Sequence, residues 1–516
     1  MSSAGADRLV AALTDPAAYP HPVDRVELVE THISWVFLAG DRVYKVKKPV
    51  NLGFLDFTTL ERRRFFCEEE VRLNRRLTHD VYLGVVELNG HATLAFGGPG
   101  PTVEVAVMMK RLPHDRMLDD LVRRNAAEPE LLEDLGHIVA RFHAAAPTGG
   151  EIDELGSLTT VRANWSENFA QTDRLSAEVL SAESRRTLRP WVEAFMEREA
   201  QRFAARVAAG RARDCHGDLQ AQHICCTGPI QIFDCIEFNH RFRYGDVAGE
   251  IAFLAMDLDR LGRPDLALRF LNAYLEASGD YDAVPLLDFY RAYRAFVRGK
   301  VLSFQIEQRP ETAAKARDRF ALAVRYTERR DRPRLLITTG VIGSGKSTVA
   351  RQVAARLGAI VVRTDAVRKR LAGLALGERR QSGFGEGLYR PEMAERTYAE
   401  AMSVATKILK TGWSVVVDGA FSSAAQRRLA REAAMATGVA FAVLWCDAPD
   451  AVLAERLRRR ARDPTEVSDA GVVLLPQHRA HYEPPDREAN VIRIDTTAAA
   501  DRAAAEALEG LGRRAS

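Results

Sequence analysis

Cysteine is scarce in this chain, with 6 residues in 516. Small secreted domains that depend on disulfides are cysteine-dense, so that class is excluded. No two cysteines stand in a C-x-x-C pair, and the adjacent Cys225 and Cys226 offer poor chelation geometry, which speaks against a structural zinc site. No run of 18 or more apolar residues occurs, so no membrane-spanning helix is expected. The N-terminal Met-Ser-Ser-Ala-Gly-Ala lacks the charged start and apolar core of a secretory signal. An excess of charge of either sign is missing as well. The 73 Lys and Arg face 70 Asp and Glu for a net +3, too even a balance to imply a nucleic-acid partner. These absences lead to the expectation of a cytoplasmic protein with neither nucleic acid nor membrane as partner.

What is present is a globular composition, 47% hydrophobic and 28% charged, at a length that suggests two to four domains. The most specific motif is Gly340-Val-Ile-Gly-Ser-Gly-Lys-Ser347, which fits G-x-x-x-x-G-K-[ST] without mismatch. It follows a strand-like run, 334–339, and opens a helix-forming segment. Glycines at 340, 343 and 345 let backbone N–H groups close around phosphate, and the helix N-terminus adds partial positive charge. Ser344 and Thr348 belong to the same cradle. Lys346 is placed to reach the β- and γ-phosphates of ATP, and the Ser347 hydroxyl to ligate Mg2+. Beyond it, strands at 334–339, 359–364, 413–417 and 440–445 alternate with helices, which implies a parallel sheet covered by helices. The charged, proline-ended segment Tyr326 to Pro333 reads as a linker.

The front of the chain has a different texture. Short strands fill 24–48, a charged helix spans Leu60 to Leu77, and apolar alternation returns up to about residue 110, giving a mostly antiparallel β region. Helical patterns then dominate to about 328, interrupted by two short strands that flank 214–238. Within that interruption lie Cys215-His-Gly-Asp-Leu-Gln-Ala-Gln-His223 and Ile232-Phe-Asp-Cys-Ile-Glu237. Two aspartates so placed, Asp218 and Asp234, suit a site where one accepts a hydroxyl proton and the other holds a metal. The plainer reading is that both are turn formers. Cys215, Cys225, Cys226 and Cys235 surround the motif and read as small buried hydrophobes. Arg291, Arg294 and Arg298 share a helix face, either a solvated stripe balanced by Asp288 or a wall for an anionic acceptor.

A β lobe with a strand lysine, a glutamate-bearing helix, a connector and a helical lobe with H-G-D…D resembles the aminoglycoside-phosphotransferase-like branch of the kinase superfamily, over about 24–325. The resemblance implies that Asp218 orients or deprotonates the acceptor hydroxyl and that Asp234 holds Mg2+ on the phosphates. His216 and Gly217 would shape the loop. It implies Lys45 as the phosphate-binding strand lysine, with Lys47 the runner-up, and Glu70 as its partner. Met109, within the connector Val107 to Arg111, would meet adenine. No G-x-G-x-x-G covers the first hairpin, and Thr31 to Ser34 takes that place. The second metal ligand of the pattern is Asn, but position 223 is His, a softer donor. Either Asp234 and waters hold the metal or this lobe is a non-catalytic kinase.

The last third, about 334–498, is similar to the small P-loop kinases, the gluconate-kinase, polynucleotide-kinase and zeta-toxin relatives. That likeness implies Asp365 as the group taking the acceptor's proton, Arg368 as an acceptor contact and Asp418 as a Walker-B-like aid to Mg2+. Arg456, Arg460 and Arg462 are candidate lid arginines, with Arg460 chosen for ATP, and Ser382 to Gly387 a candidate lid.

The expected fold is an α+β bilobal kinase-like domain, 1–328 (β lobe about 24–110, helical lobe about 111–328), followed by an α/β P-loop domain with a parallel sheet, 329–516. The expected function is an ATP-dependent phosphotransferase acting on small-molecule hydroxyl groups, with two ATP–Mg2+ sites: ligands Asp234 and His223 in one, Ser347 and Asp418 in the other. The alternative is a nucleotide-binding pseudokinase regulating a C-terminal P-loop kinase or ATPase.

Overall fold

Six strands build the first sheet: β1 (Val26–Glu30), β2 (Ser34–Ala39), β3 (Arg42–Lys47), β4 (Tyr82–Gly90), β5 (Leu94–Phe96) and β6 (Thr102–Lys110). They pair antiparallel in the order β1-β2-β3-β6-β4-β5. The computed structural model describes residues 3–91, 93–328, 332–378, 386–460 and 472–513.

Strand period decides what faces what. Tyr44 and Val46 enter a core with Trp35, Phe37 and Leu13, whereas Val43 packs on Cys67 and Val71 of the helix Leu60–Asn74. A period of two puts Lys45 and Lys47 on the face of Val43, and a helical spacing of three puts Glu70 on the face of Cys67. Thr59 caps that helix, its Oγ1 accepting from Arg62 N at 3.2 Å, which supplies one of the orphan helix-start donors with a partner.

The motif region is made of two small antiparallel ribbons. β7 (Ala212–Asp214) pairs with β10 (Tyr244–Asp246), and β8 (Ile224–Cys226) with β9 (Ile230–Ile232). Asp218 lies ahead of β8 and Asp234 just past β9, so the hairpin folds the two halves of the motif back on each other.

The second sheet consists of β11 (Arg334–Thr339), β12 (Ala359–Arg363), β13 (Ser414–Asp418), β14 (Ala440–Asp447) and β15 (Val491–Asp495). All pairs are parallel, in the order β12-β13-β11-β14-β15. Every residue of β12 is buried, as a strand covered on both faces requires. β15 was not expected from the sequence: Arg493 and Asp495 on its exposed side break the apolar run that marks the inner strands. β12 ends at Arg363, and Asp365 falls in the first turn of the helix Thr364–Leu371. The strand expected at 359–364 therefore stops one residue sooner, and Asp365 sits on a helix. The fold class is as expected, an antiparallel-sheet α+β part followed by an α/β parallel-sheet part.

The compact units do not follow chain order. One comprises 1–127, 145–257 and 293–316; the other comprises 128–144, 258–292 and 317–516. In the second unit, the helix Pro264–Ser278 lies along the outer edge of β12. Asn272 Nδ2 donates to Ala359 O at 3.2 Å and its Oδ1 accepts from Val361 N at 2.8 Å. The Tyr281 hydroxyl donates to Val361 O at 3.2 Å. Edge N–H and C=O groups thus find side-chain partners.

All six cysteines are buried and outside any disulfide. Among the described residues no helix is long and apolar enough to cross a membrane.

Candidate active sites

The first site is a chain of alternating charges. Lys45 Nζ donates to Glu70 Oε1 at 2.8 Å and to Asp234 Oδ1 at 2.7 Å. Lys47 Nζ donates to Glu70 Oε2 at 2.8 Å and also pairs with Glu237. Both oxygens of Glu70, a residue with no exposed surface, are therefore occupied by lysines. Asp234 is the solvent-facing member, with its side chain 41% exposed. Burial would raise its carboxyl pKa, but Lys45 and then His223 outweigh it and hold the group well below the usual carboxylate range. Burial likewise would lower Lys45, yet Asp234 and Glu70 lift it well above the ordinary lysine value. Lys47 was the sequence's runner-up to Lys45; the structure pairs both with Glu70, and each adds an acid of its own, Asp234 for Lys45 and Glu237 for Lys47. Glu237 was missed, and its only sequence signal was a carboxylate three residues beyond Asp234.

His223 sits between the two aspartates. Its Nδ1 lies 2.9 Å from Asp218 O and 3.4 Å from Asp218 Oδ2, and its Nε2 lies 3.5 Å from Asp234 Oδ2. Asp218 Oδ1 accepts from Gln220 Nε2 at 2.6 Å. Asp234 has a left-handed backbone, φ 64°, costly for a non-glycine residue. Its N–H donates to the Tyr82 hydroxyl at 3.2 Å, and the preceding Phe233 N–H donates to His223 O at 3.0 Å.

The His-Gly-Asp loop is tied from beneath. The N–H groups of His216 and Gly217 donate to Glu250 at 2.8 and 2.6 Å, and Arg294 Nη1 donates to Gly217 O at 3.2 Å. His216 Nε2 donates to Phe233 O, 3.0 Å away. Burial depresses its pKa to about 4, so His216 shapes the loop as a neutral ring. Gly217 has φ 87°, and a Cβ there would come within 3.0 Å of Phe242 O; only glycine fits that turn.

Two sequence expectations about this region, the connector at 107–111 and the solvated arginine stripe, need correction. Met109 lies inside β6, opposite Val43 on one side and Tyr82 on the other. Residues 107–110 are thus sheet, and the chain leaves it only after Lys110. The Thr31 hydroxyl accepts from Ser34 N at 2.9 Å and so closes its own turn. Arg291 is no solvated stripe: it is 4% exposed, 3.7 Å from Asp259, and faces the ring of Trp413.

The second site surrounds a cavity of about 700 Å³ whose walls include Gly343, Gly345, Lys346, Ser347, Thr348, Asp365, Arg368 and Asp418. The loop has the shape its glycines predict, with φ 142°, 79° and 79° at Gly340, Gly343 and Gly345. A Cβ on Gly340 would lie 2.4 Å from Cys446 O and 2.6 Å from Ser344 Oγ. Lys346 Nζ donates to Gly340 O at 3.0 Å and Val341 O at 2.7 Å, curling over the loop. Ser344 Oγ is buried without a hydrogen-bond partner.

Asp418 closes β13, 5% exposed, with Thr338 Oγ1 donating to its Oδ1 at 3.2 Å. Asp365 is paired with Arg368, whose guanidinium stacks 4.8 Å from the Tyr389 ring. Arg456 Nη1 donates to Thr496 Oγ1 at 3.2 Å. Both Arg456 and Arg459, the latter not foreseen, line the cavity. The side chain of Arg460, all of Arg462 and residues 382–385 of the expected lid lie outside the described residues.

Comparison with known proteins bears on both sites. Residues 67–287 match the model described as the phosphotransferase enzyme family, and residues 335–485 the one described as an AAA domain. An uncharacterised protein of Mycobacterium tuberculosis is 35% identical over 494 residues, 94% of this chain and 96% of that relative. The chain belongs to that protein's family. A shikimate kinase of Rhodopseudomonas palustris is 31% identical over 161 residues, 31% of this chain and 71% of that protein. Among solved structures, a choline/ethanolamine kinase family protein from Mesorhizobium loti is 16% identical, with a TM-score of 0.40 over 63% of this chain and 95% of that one. A gluconokinase from Sinorhizobium meliloti is 24% identical, with a TM-score of 0.26 over 36% of this chain and 94% of that one. The phosphotransferase likeness thus lies on the part that holds the first site, and the AAA-domain likeness on the part that holds the P-loop.

Proposed function

We propose that this protein is an ATP-dependent kinase that phosphorylates hydroxyl groups of small molecules, with one ATP–Mg2+ site in residues 1–328 and another in 329–516. The observation that carries the proposal is Lys45 Nζ held between Glu70 and Asp234, residues 25 and 189 positions away in the chain. Such a lysine, fixed by a helix carboxylate and facing a loop aspartate, is what phosphoryl transfer by a kinase requires. The P-loop supports the second site. Its glycine cradle leaves no room for a Cβ at 340, and it holds an unpartnered Ser344 hydroxyl, both fitting close approach of a phosphate to the backbone.

In the second site Lys346 would release its two loop carbonyls to meet phosphate, and Ser347 and Asp418 would hold the metal. Asp365 would accept the acceptor's hydroxyl proton at its carboxylate, with Arg368 fixing its orientation. Arg456, Arg459 and Arg460 are the candidates to neutralise charge near the phosphates. In the first site Lys45 would hold phosphate while Glu70 positions it, Asp234 and His223 would hold the metal, and Asp218 would accept the acceptor's proton. Bound ATP supplies the phosphoryl group, and Mg2+ neutralises its charge.

A second reading has one observation behind it. His223 stands where a carboxamide is expected and lies within 3.5 Å of both Asp218 and Asp234, so the first unit would be a nucleotide-binding pseudokinase regulating the P-loop part. Phosphoryl transfer from ATP across a panel of metabolites and aminoglycosides, with Asp218→Ala and Lys346→Ala measured separately, decides between them. The two-site reading expects each variant to lose a different activity. It fails if Asp218→Ala retains every activity that Lys346→Ala abolishes.

A further inference from the structure

We propose that the metal site of the first unit is built for a first-row divalent transition ion rather than Mg2+, with His223 Nε2 and Asp234 Oδ2 as its donors. The inference rests on the reading of this unit as a metal-assisted phosphotransfer site and departs from it in one respect, replacing Mg2+ there by an ion that suits an imidazole donor.

Hydrogen bonds fix the orientation of the imidazole. His223 Nδ1 lies 2.9 Å from the carbonyl oxygen of Asp218. A carbonyl only accepts, so Nδ1 carries the proton and donates. Nε2 is then the ring nitrogen turned away from that carbonyl. It lies 3.1 Å from the amide nitrogen of Gln222 and faces Asp234 Oδ2 at 3.5 Å. A second-atom hydrogen bond to a main-chain oxygen, with the other ring nitrogen left basic, is how proteins orient a metal-binding histidine.

The aspartate is divided in the same way. Oδ1 accepts from Lys45 Nζ at 2.7 Å, which leaves Oδ2 as the oxygen turned toward His223. Nε2 and Oδ2 thus face each other at the spacing that two donors of one cation take. A cation about 2.1 Å from each of two donors sets them about 3.0 Å apart at a right angle and about 3.4 Å apart at a tetrahedral angle. The observed separation needs little adjustment. The His223 side chain is 10% exposed against 41% for Asp234, so the nitrogen is fixed in the wall while the carboxylate is open to incoming ligand.

Donor chemistry decides the ion. Mg2+ is hard, favours oxygen throughout and keeps its waters, whereas imidazole suits transition ions. The second unit shows the contrast within one chain, since Ser347 and Asp418 offer only oxygen. One protein would thus bind two metals of different character.

The test uses the full chain carrying Ser347→Ala, so that the P-loop's metal ligand is removed, with Mn2+ as probe and ADP enriched in 15N. Spin-echo modulation of bound Mn2+ should then show 14N coupling from the protein. His223→Asn on the same background should abolish that coupling and lower the preference for Mn2+ over Mg2+ in competition at least tenfold, with its thermal unfolding unchanged. The proposal is overturned if the parent shows no 14N coupling, if no Mn2+ binds, or if the coupling survives His223→Asn. Phosphoryl transfer by otherwise native chain with and without Asp218→Ala is read separately. A 14N signal with no Asp218-dependent transfer sinks the functional reading alone, and Asp218-dependent transfer without the signal sinks the metal assignment alone.

Discussion

The Arg363 guanidinium donates through Nη1 to Glu276 Oε1 at 2.9 Å. Its Nε lies 3.5 Å from Asp418 Oδ2, and none of the three side chains is more than 14% exposed. A single cation therefore compensates two buried acids, one on the helix Pro264–Ser278 and one at the end of β13. Arg363→Met should destabilise the protein by about 3 kcal/mol, the scale for leaving a buried charge without its partner. Arg363→Lys should recover part of that loss. Equilibrium urea unfolding of the three proteins measures it, and equal stability of Arg363→Met and wild type would refute the pairing.

Lys47 and Glu237 should be coupled energetically. Glu237→Gln alone is expected to cost about 3 kcal/mol, because Lys47 is only 1% exposed. The double variant Lys47→Met/Glu237→Leu should cost less than the sum of the single changes by about 1–3 kcal/mol. A double-mutant cycle that closes additively would show the two residues to be independent.

Stability should fall in mild acid on account of His216. The ring is buried and its pKa is pushed down to about 4, against about 6.5 in the unfolded chain. Between those values the unfolded state binds more protons, so stability rises with pH through this window and is lost as pH falls from about 6.5 toward 4. The full effect is about 3 kcal/mol at most. His216→Gln, whatever its absolute stability, should lose less between pH 7 and pH 4.5. Parallel urea titrations at the two pH values check this.

Gly340→Ala should disable one nucleotide site and spare the other. The residue has φ 142°, and the added methyl would meet Cys446 O at 2.4 Å, a backbone atom that has nowhere to go. Calorimetric titration with ATP should show one of two binding events weakened at least tenfold. Loss of both events, or of neither, would contradict separate sites.

The sequence showed most where one short segment makes its own site. Gly340 to Ser347 carries its loop, its lysine and its helix start together, and the structure forms them as the spacing predicts. Lys45 and Glu70 were also within reach, because strand and helix periods both point toward Cys67 and Val71. Residues defined by long-range packing were harder to see. Glu237 matters because Lys47 needs a second acid, Tyr82 because Asp234 needs help with a left-handed backbone, and Glu250 because two loop N–H groups converge on it. None of these follows from a local pattern. The start of the connector was placed too early for the opposite reason: the apolar run was read correctly as strand, but the end of the strand depends on pairing with β3 and β4. Arg291 was misread because charge at helical spacing says nothing of a tryptophan 122 positions later (413 less 291) that covers it.

The side chain of Asn272 completes the backbone bonding of a strand 87 to 89 residues further on. A P-loop half cut free at residue 329 would therefore begin life with the outer rim of β12 bare, open to strand addition by any neighbouring chain. The two halves of this protein are not interchangeable cassettes on a string. A shuffled gene that keeps the nucleotide motif but loses residues 264–286 would keep the chemistry's parts list and lose the frame that holds it.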